Sequence, residues 1–322
     1  IGLWNDRVTT EIAYYNKLSQ DVIMNVSTPP STGFTNRWDN VATILNRGVE
    51  LSVKSRNLIG GFQWTTELNV ARNYNELQSI GNYTPDAVSG GTNDSRVITG
   101  SPVGSFYLMM FSHVDAETGL PVYLDRAGNE TFDYDNSERQ YVGDGLPDFV
   151  GVMTNTFRWK NWDLRALATF SYGAKIFDSS SKRQLGVVTS WNMRTEILDR
   201  WRQPGDEATF PRLTLDETTY GLPSGFPWWN TSLFVFDASY LRLRNLTLGY
   251  TVPTIGTGKH AISNLRVNAS VTNLFTITSF PGLDPEVVRD FENAQDRNMS
   301  PNVTYLTPPQ ERAFTLGINM SF

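Results

Sequence analysis

Residues Ala313–Phe322 read AFTLGINMSF, and large apolar side chains occupy every second position of this stretch. The apolar positions are Phe314, Leu316, Ile318, Met320 and Phe322. Small or polar residues fill the positions between them. A period of two over ten residues is typical of a β-strand with one apolar and one polar face. The stretch therefore predicts a strand whose apolar side chains share one side of a sheet.

The same alternation recurs upstream at a consistent length. The clearest segments are Phe62–Tyr74, Trp162–Tyr172, Tyr240–Val252 and Asn264–Phe275. They exceed the five or six residues of most strands in soluble proteins and approach the length that a tilted strand needs to cross a bilayer. In Tyr240–Val252 the alternation places Arg242 and Arg244 on the same face as the apolar side chains. We expect the strand either to leave the membrane there or to change phase at a bulge.

Further, weaker strands bring the predicted number to about ten. They are Arg7–Lys17, Asn46–Arg56, Val103–Ser112, Leu120–Asp125 and Phe149–Lys160. The connections between strands are unequal: Asn57–Gly61 and Lys160–Asn161 are short, whereas Asn75–Pro102 and Phe177–Asp237 are long. Short turns on one side and long loops on the other are typical of outer-membrane barrels. Within the longest loop, Ser190–Arg202 has the spacing of an amphipathic helix.

The composition excludes several classes of protein. The 322 residues contain no cysteine and carry a net charge of −6, so thiol chemistry is excluded and a nucleic-acid partner is not expected. The two histidines, His113 and His260, stand far apart in the sequence and lack the neighbours of a catalytic site. We therefore expect no enzymatic activity and no cofactor. A mean hydropathy of −0.33 would suit a soluble protein, but alternating membrane strands average to the same value.

Six ordered motifs together resemble the C-terminal half of a SusC/RagA-type TonB-dependent outer-membrane transporter of Bacteroidota. They are NRGVEL (Asn46–Leu51), VGDGLPDFVG with RWKNWDL (Val142–Leu164), RWRQPGDEATFPRL (Arg200–Leu213), FDASYLRLRNLTLGYTVP (Phe236–Pro253), RVNASVTNLF (Arg266–Phe275) and ERAFTLGINMSF (Glu311–Phe322). The resemblance implies an all-β fold. It would be the C-terminal portion, about ten antiparallel strands, of a large transmembrane β-barrel with long extracellular loops. Residues 1–322 would form part of a single barrel domain, with the plug domain and the N-terminal strands outside this sequence.

The resemblance also implies a function. We expect an importer of oligosaccharides or peptides in the outer membrane, in contact with its lipids and capped by a SusD-like lipoprotein. The TonB-ExbB-ExbD motor would act through the N-terminal part outside this sequence. The alternating residues Phe314, Leu316, Ile318, Met320 and Phe322 are similar to the C-terminal signal that the outer-membrane assembly machinery reads. Two alternatives stay open: a barrel that is a passive pore or the anchor of a larger complex, and a soluble all-β carbohydrate-binding protein.

The binding candidates are aromatic residues of the predicted loops. Trp228 and Trp229, with Phe226, lie in the segment GFPWWN and offer flat apolar faces to a sugar ring or a peptide side chain. Further candidates are Phe34 and Trp38, and Phe280 with Asp284 and Glu286. In each case the alternative is that the aromatic ring packs within its own loop or meets a partner protein.

A metal site is a weaker hypothesis. Asp133, Asp135 and Asp144 occupy positions one, three and twelve of a calcium-loop pattern. Glu138 stands where that loop requires glycine, so no metal is the main expectation and these three residues are a weak candidate.

Overall fold

The computed structural model of the chain describes residues 2–89, 95–185, 192–213, 230–254, 263–289 and 299–321. Its first strands are β1 (Gly2–Leu3), β2 (Val8–Ser27), β3 (Asn36–Ile59), β4 (Phe62–Ser79), β5 (Val88–Ser89), β6 (Ser95–Arg96), β7 (Ser105–Leu108), β8 (Met110–Val114), β9 (Pro121–Leu124), β10 (Glu130–Thr131) and β11 (Gln140–Gly143). The others are β12 (Phe149–Trp159), β13 (Trp162–Tyr172), β14 (Lys175–Asp178), β15 (Val235–Asp237), β16 (Tyr240–Thr251), β17 (Ser263–Thr278), β18 (Val303–Thr304) and β19 (Ala313–Ser321). The described helices are α1 (Ser179–Leu185) and the 3-10 turns Pro30–Thr32, Asn136–Glu138, Thr195–Asp199 and Ser232–Phe234. None of these helices has the length and apolar character needed to cross a membrane.

Nine strands form a single antiparallel meander in the order β1-β2-β3-β4-β12-β13-β16-β17-β19, and β5 adds to β2 as the tenth strand of the sheet. Tight turns join neighbouring strands at one end, at Gly60–Gly61 and at Lys160–Asn161. Lys160 has a φ of 53°, the left-handed conformation that a two-residue hairpin favours. At the other end the chain makes long excursions over residues 80–148, 173–239 and 279–312.

The predicted alternation of apolar and polar side chains is seen along the sheet. A single row of register partners runs Leu316–Ala269–Leu248–Leu164–Phe157–Trp64 across six strands, and all six side chains are apolar. The row beside it runs Gly317–Asn268–Gly249–Asp163–Arg158–Gln63, and it is polar apart from its glycines. Adjacent rows point to opposite faces of a sheet. The sheet therefore has an apolar outer face and a polar inner face.

Aromatic side chains mark both ends of the outer face. At the tight-turn end the register row Phe62–Trp159–Trp162–Tyr250 crosses four strands, and the Trp162 and Tyr250 rings lie 4.6 Å apart. At the other end Phe149 is the register partner of Tyr172. Ten residues of β13 separate the two bands, which corresponds to about 25 Å for a strand tilted by about 40°. Bands of aromatic side chains at this separation are typical of a membrane-spanning barrel wall.

The largest cluster of buried apolar side chains among the described residues lies among the long excursions. Its buried members are Phe106, Leu108, Met109, Tyr123, Phe177, Leu185, Ile197, Phe210, Phe234 and Val303. All three long excursions contribute to it, and β14 of the second pairs in parallel with β18 of the third. We call the described residues of 80–148, 173–239 and 279–312 the loop body. The long loops therefore fold against one another as one packed unit.

Three sequence-based assignments are corrected by this arrangement. Pro121–Leu124, within the predicted strand Leu120–Asp125, pairs with β8 and β10 in a small sheet of the loop body. Val103–Ser112 likewise contributes to small sheets, so only β12 crosses between β4 and β13. The predicted helix Ser190–Arg202 is wrong over its described part, where a five-residue 3-10 turn, Thr195–Asp199, is followed by extended chain.

Candidate functional site at the inner wall and the loop body

Glycines on the inner face make room for the side chains of neighbouring strands. Tyr15 lies over Gly48, where a Cβ atom would stand 2.5 Å from the tyrosine hydroxyl. That hydroxyl donates a 2.7 Å hydrogen bond to Asn73 Oδ1 on the next strand. The glycine of the NRGVEL motif therefore allows one tyrosine to link three strands across the inner wall.

A second glycine serves an ion pair near the tight-turn end. Arg266 reaches across Gly249 and binds both carboxylate oxygens of Asp163, with 2.8 Å between Nη2 and Oδ2. A Cβ at Gly249 would stand 2.1 Å from that Nη2 atom. Gly249 thus leaves the space through which the bidentate pair forms.

The lower inner wall, the part of the inner face nearest the tight turns, carries more positive than negative charge. Lys54 pairs with Glu67 at 2.7 Å, and Arg266 pairs with Asp163. Arg56, Arg158 and Arg165 are also on this wall and are exposed. Arg56 and Arg158 line a recess of about 480 Å³ together with Gln63, Thr65 and Thr156. The lower wall can therefore bind anionic groups that enter the lumen.

The arginines of β16 mark a change of phase in the sheet. The register of β16 against both neighbouring strands shifts at Arg244. This bulge turns Arg242 to the inner side, where the side chain is only 2% exposed. Of the two predicted alternatives, the change of phase is correct.

Arg242 is held by two carboxylates of the third excursion. It lies 2.5 Å from Asp284 Oδ1 and 2.8 Å from Glu286 Oε2. Arg244 lies 2.5 Å from Glu286 Oε1. Burial alone would raise the pKa of Asp284, but hydrogen bonds from Arg242 and from the backbone amides of Glu286 and Gln310 hold it below its ordinary value of 3.8. This network fixes the start of the third excursion to the upper inner wall.

Asn302 joins all three excursions at one point. Its side-chain amide donates to the carbonyl of Gly145 at 2.8 Å and to that of Lys175 at 3.2 Å. The backbone amide of Phe177 donates to the Asn302 carbonyl at 2.9 Å. Gly145 therefore lies at a junction of the three excursions.

Asp178 makes a second connection within the loop body and is itself buried. Its Oδ1 atom accepts from the backbone amides of Ser180 and Ser181, at the start of α1, and from Thr304 Oγ1 at 2.7 Å. The second and third excursions are thus joined by a buried carboxylate as well as by β14 and β18.

Of the aromatic binding candidates, the structure describes Phe34, Trp38 and Phe280. Phe226, Trp228 and Trp229 lie outside the described residues, so their role stays a prediction. Phe34 and Trp38 lie at the tip of the β2–β3 hairpin and are 72% and 63% exposed. Trp38 pairs with Asn25 on the face opposite Met24 and Val26, which pack in a core with Leu77 and Met299. Trp38 therefore faces away from the lumen side of the hairpin.

Two of the three acidic metal candidates bind other protein groups through their carboxylates. Asp135 accepts from the backbone amide of Ser137 and caps a 3-10 turn. Asp144 accepts from the Tyr141 hydroxyl at 2.6 Å, and burial together with this bond raises the pKa of Tyr141. Asp133 donates its backbone amide to Thr131. Among the described residues no group of three or more His, Asp or Glu side chains is arranged to hold a metal ion.

The predicted assembly signal lies on the last strand of the sheet. Phe314, Leu316, Ile318 and Met320 all project from the outer face of β19 and are exposed. Phe322 lies outside the described residues. The strand itself is confirmed, and its role in assembly stays a prediction.

Comparison with known proteins supports the same class of fold. No protein-family model matches the chain. It is 27% identical to TonB-dependent receptor P3 of Formosa agariphila, covering 100% of this chain and 33% of that protein. TonB-dependent receptor SusC of Bacteroides thetaiotaomicron is 25% identical, with coverage of 100% and 31%. A solved structure of the RagAB peptide transporter superposes with a TM-score of 0.82 at 23% identity, covering all of this chain and 34% of that one.

The predicted resemblance is therefore confirmed in sequence and in fold. The chain is a portion of a transmembrane β-barrel of the outer membrane, and it resembles the TonB-dependent receptors of the SusC and RagA type over its whole length. It spans about a third of the length of the curated relatives that it matches.

Proposed function

We propose that this chain forms part of the wall and the outer mouth of a TonB-dependent importer of oligosaccharides or peptides. The proposal rests mainly on the way the loop body is held in place. The loop body packs around its own core at one end of the sheet, and the ion pair of Arg242 with Asp284 fixes it to the inner wall. A fixed mouth above a polar inner wall suits capture of a solute from outside. The likeness to receptors named for their dependence on TonB supports the direction of transport.

The remaining parts belong to the same proposal. Residues 1–322 would be one part of a single barrel domain, and a plug domain elsewhere in the protein would close the lumen. The TonB-ExbB-ExbD motor would move the plug, and a SusD-like lipoprotein would cover the mouth. The chain would make and break no covalent bond of the solute, because the wall and the mouth only bind and guide it.

Energised uptake by cells tests the proposal. Cells with and without the full-length protein are supplied with fluorescent oligosaccharides and peptides, in the presence and absence of a protonophore. We expect protein-dependent uptake that the protonophore abolishes. Uptake that persists without a proton gradient would support the passive pore, and no protein-dependent uptake of either solute would support the anchor.

Two further measurements address the partner and the tryptophans. Co-purification with a SusD-like lipoprotein from native membranes is expected, and its absence would contradict the partner. A variant with Trp228→Ala and Trp229→Ala is expected to lower uptake. Unchanged uptake would remove these two residues from the binding site.

The soluble alternative is set aside because the outer face carries a continuous apolar row and two aromatic bands.

A further inference from the structure

A cavity of about 390 Å³ lies between the second and third excursions of the loop body. Its apolar lining comes from Phe280, Leu283, Val287, Leu306 and Pro308. This volume is within the range of small-ligand sites and exceeds what one large apolar side chain requires. The cavity is therefore large enough to bind part of an oligomeric solute.

The cavity adjoins the upper inner wall. Asp284 lines it and also binds Arg242 on the inner face of β16. Leu283, the residue before Asp284, is 78% exposed at its rim. A solute that passes the mouth along the upper inner wall therefore meets Leu283 and the cavity behind it.

The charged groups around the cavity are already engaged with other protein groups. Asp178 accepts from two backbone amides and from Thr304. Arg194 donates to Ser181 and to Glu196, and Asp284 is held by Arg242. A sugar carries a hydroxyl on most carbons, and each hydroxyl taken from water needs a new partner. Of the neutral polar side chains of the lining, Ser180, Thr304 and Thr307 also bind protein groups, so among the described residues few partners besides Gln184 are left for the hydroxyls of a sugar.

The described part of the lining also lacks the flat aromatic surface that suits a sugar ring. The Phe280 ring is 6% exposed and packs against Phe236 with 6.1 Å between the ring centroids. The accessible apolar lining is consequently aliphatic, from Leu283, Val287 and Leu306, with the neutral side chains of Ser180, Gln184 and Thr307 beside it. Contact of an aliphatic surface with an apolar side chain lowers the free energy most, because both surfaces leave water and the side chain has no polar group that needs a partner.

We propose that this cavity binds an apolar side chain of a peptide during import. The inference rests on the proposed import function and narrows its solute to peptides. The peptide backbone stays at the rim, and its apolar side chain enters between Leu283 and Val287.

The test measures binding of a fluorescent hexapeptide with central leucines to the purified full-length protein, by fluorescence anisotropy. A peptide with serines at those positions and a neutral hexasaccharide are measured in parallel. Leu283→Asp places a charge at the rim, and Val287→Trp fills the cavity. Leu198→Asp is the matched control, since Leu198 is an exposed leucine of the same loop body that does not line the cavity.

We expect the leucine peptide to bind about tenfold more tightly than the serine peptide, as burial of an apolar side chain predicts. Both cavity variants should lose this preference, and Leu198→Asp should keep it. Equal binding of the two peptides, or a preference that survives both cavity variants, overturns the inference. Energised uptake of the hexasaccharide without peptide binding would also overturn it, while leaving the proposed import function intact. Loss of energised uptake of every solute would instead count against the import function.

Discussion

The side-chain amide of Asn302 lies 2.8 Å from the carbonyl oxygen of Gly145, although 157 residues separate the two along the chain. A Cβ atom at Gly145 would stand 3.0 Å from the Asn302 Cβ, so the glycine lets the two segments approach. Asn302 also has a φ of 55°, a conformation that asparagine adopts more readily than most residues. The junction of the loops thus depends on two residue types at two distant positions.

Removing the Asn302 amide should loosen the loop body. Asn302→Ala leaves the carbonyls of Gly145 and Lys175 without this donor and adds strain at a positive φ. We therefore expect the free energy of unfolding of the loop body to fall by about 1–3 kcal/mol. Asn302→Gly is the matched control, since it relieves the strain and removes the same hydrogen bonds. Hydrogen exchange of Phe177 and neighbouring amides measures the effect. Unchanged protection in both variants would show that the junction contributes nothing to stability.

The buried pair of Arg242 and Asp284 should respond strongly to loss of one partner. Arg242→Met leaves the buried Asp284 carboxylate without its cation, whereas Glu286 keeps its pairing with Arg244, and we expect the free energy of unfolding to fall by about 3–5 kcal/mol. The double variant Arg242→Met with Asp284→Asn should recover part of this loss. Urea unfolding of the full-length protein in detergent measures both. Additive effects would contradict a coupled pair.

The same pair predicts a dependence on pH. Because the pKa of Asp284 is lowered on folding, its contribution is complete above the ordinary value of 3.8 and is lost as the pH falls through the lower folded pKa. Protease resistance of residues 279–289 should therefore be constant from about pH 8 to pH 5 and fall only below about pH 4. With Asp284→Asn this acid-dependent change should disappear. A decline between pH 7 and pH 5 would point to another group.

Gly249 and Arg266 should act together on the inner wall. Gly249→Ala would displace the Arg266 side chain and break its pairing with Asp163. Since this pair is partly exposed, we expect a loss of about 1 kcal/mol or less. The combination with Arg266→Ala should cost less than the sum of the single changes, measured as a double-mutant cycle. Full additivity would show that Gly249 has a separate role.

The two faces of the sheet should tolerate charge very differently. Leu246→Lys places an ammonium group on the outer face. We expect the free energy of unfolding, measured in lipid vesicles, to fall by about 2 kcal/mol. Thr272→Lys is its control at almost the same height, because Thr272 pairs with Asn245 on the inner face. Equal losses for both variants would contradict the assignment of the faces.

Sequence periodicity predicted the large sheet well and the loop body poorly, for physical reasons. The side chains of β13 and β19 alternate because a lipid face and a wet face impose a period of two on every residue. Arg242 and Arg244 of β16 indicated either an exit from the membrane or a bulge, and only the structure decides for the bulge. Leu120–Asp125 has the same strand-forming residues, but its partners lie in other parts of its own loop, which periodicity does not reveal. The contact of Asn302 with Gly145 has no local signal at all.

The shared core of the loop body also bears on the order of assembly. Phe106, Phe177 and Val303 come from three excursions that are separated by pairs of wall strands. The wall can grow hairpin by hairpin, because each strand of the meander pairs with its neighbour in the path. The core can close only after β17 is in place and the third excursion has emerged on the outer side. A conformational antibody that recognises the surface of the folded loop body would consequently distinguish fully inserted molecules from those arrested during insertion.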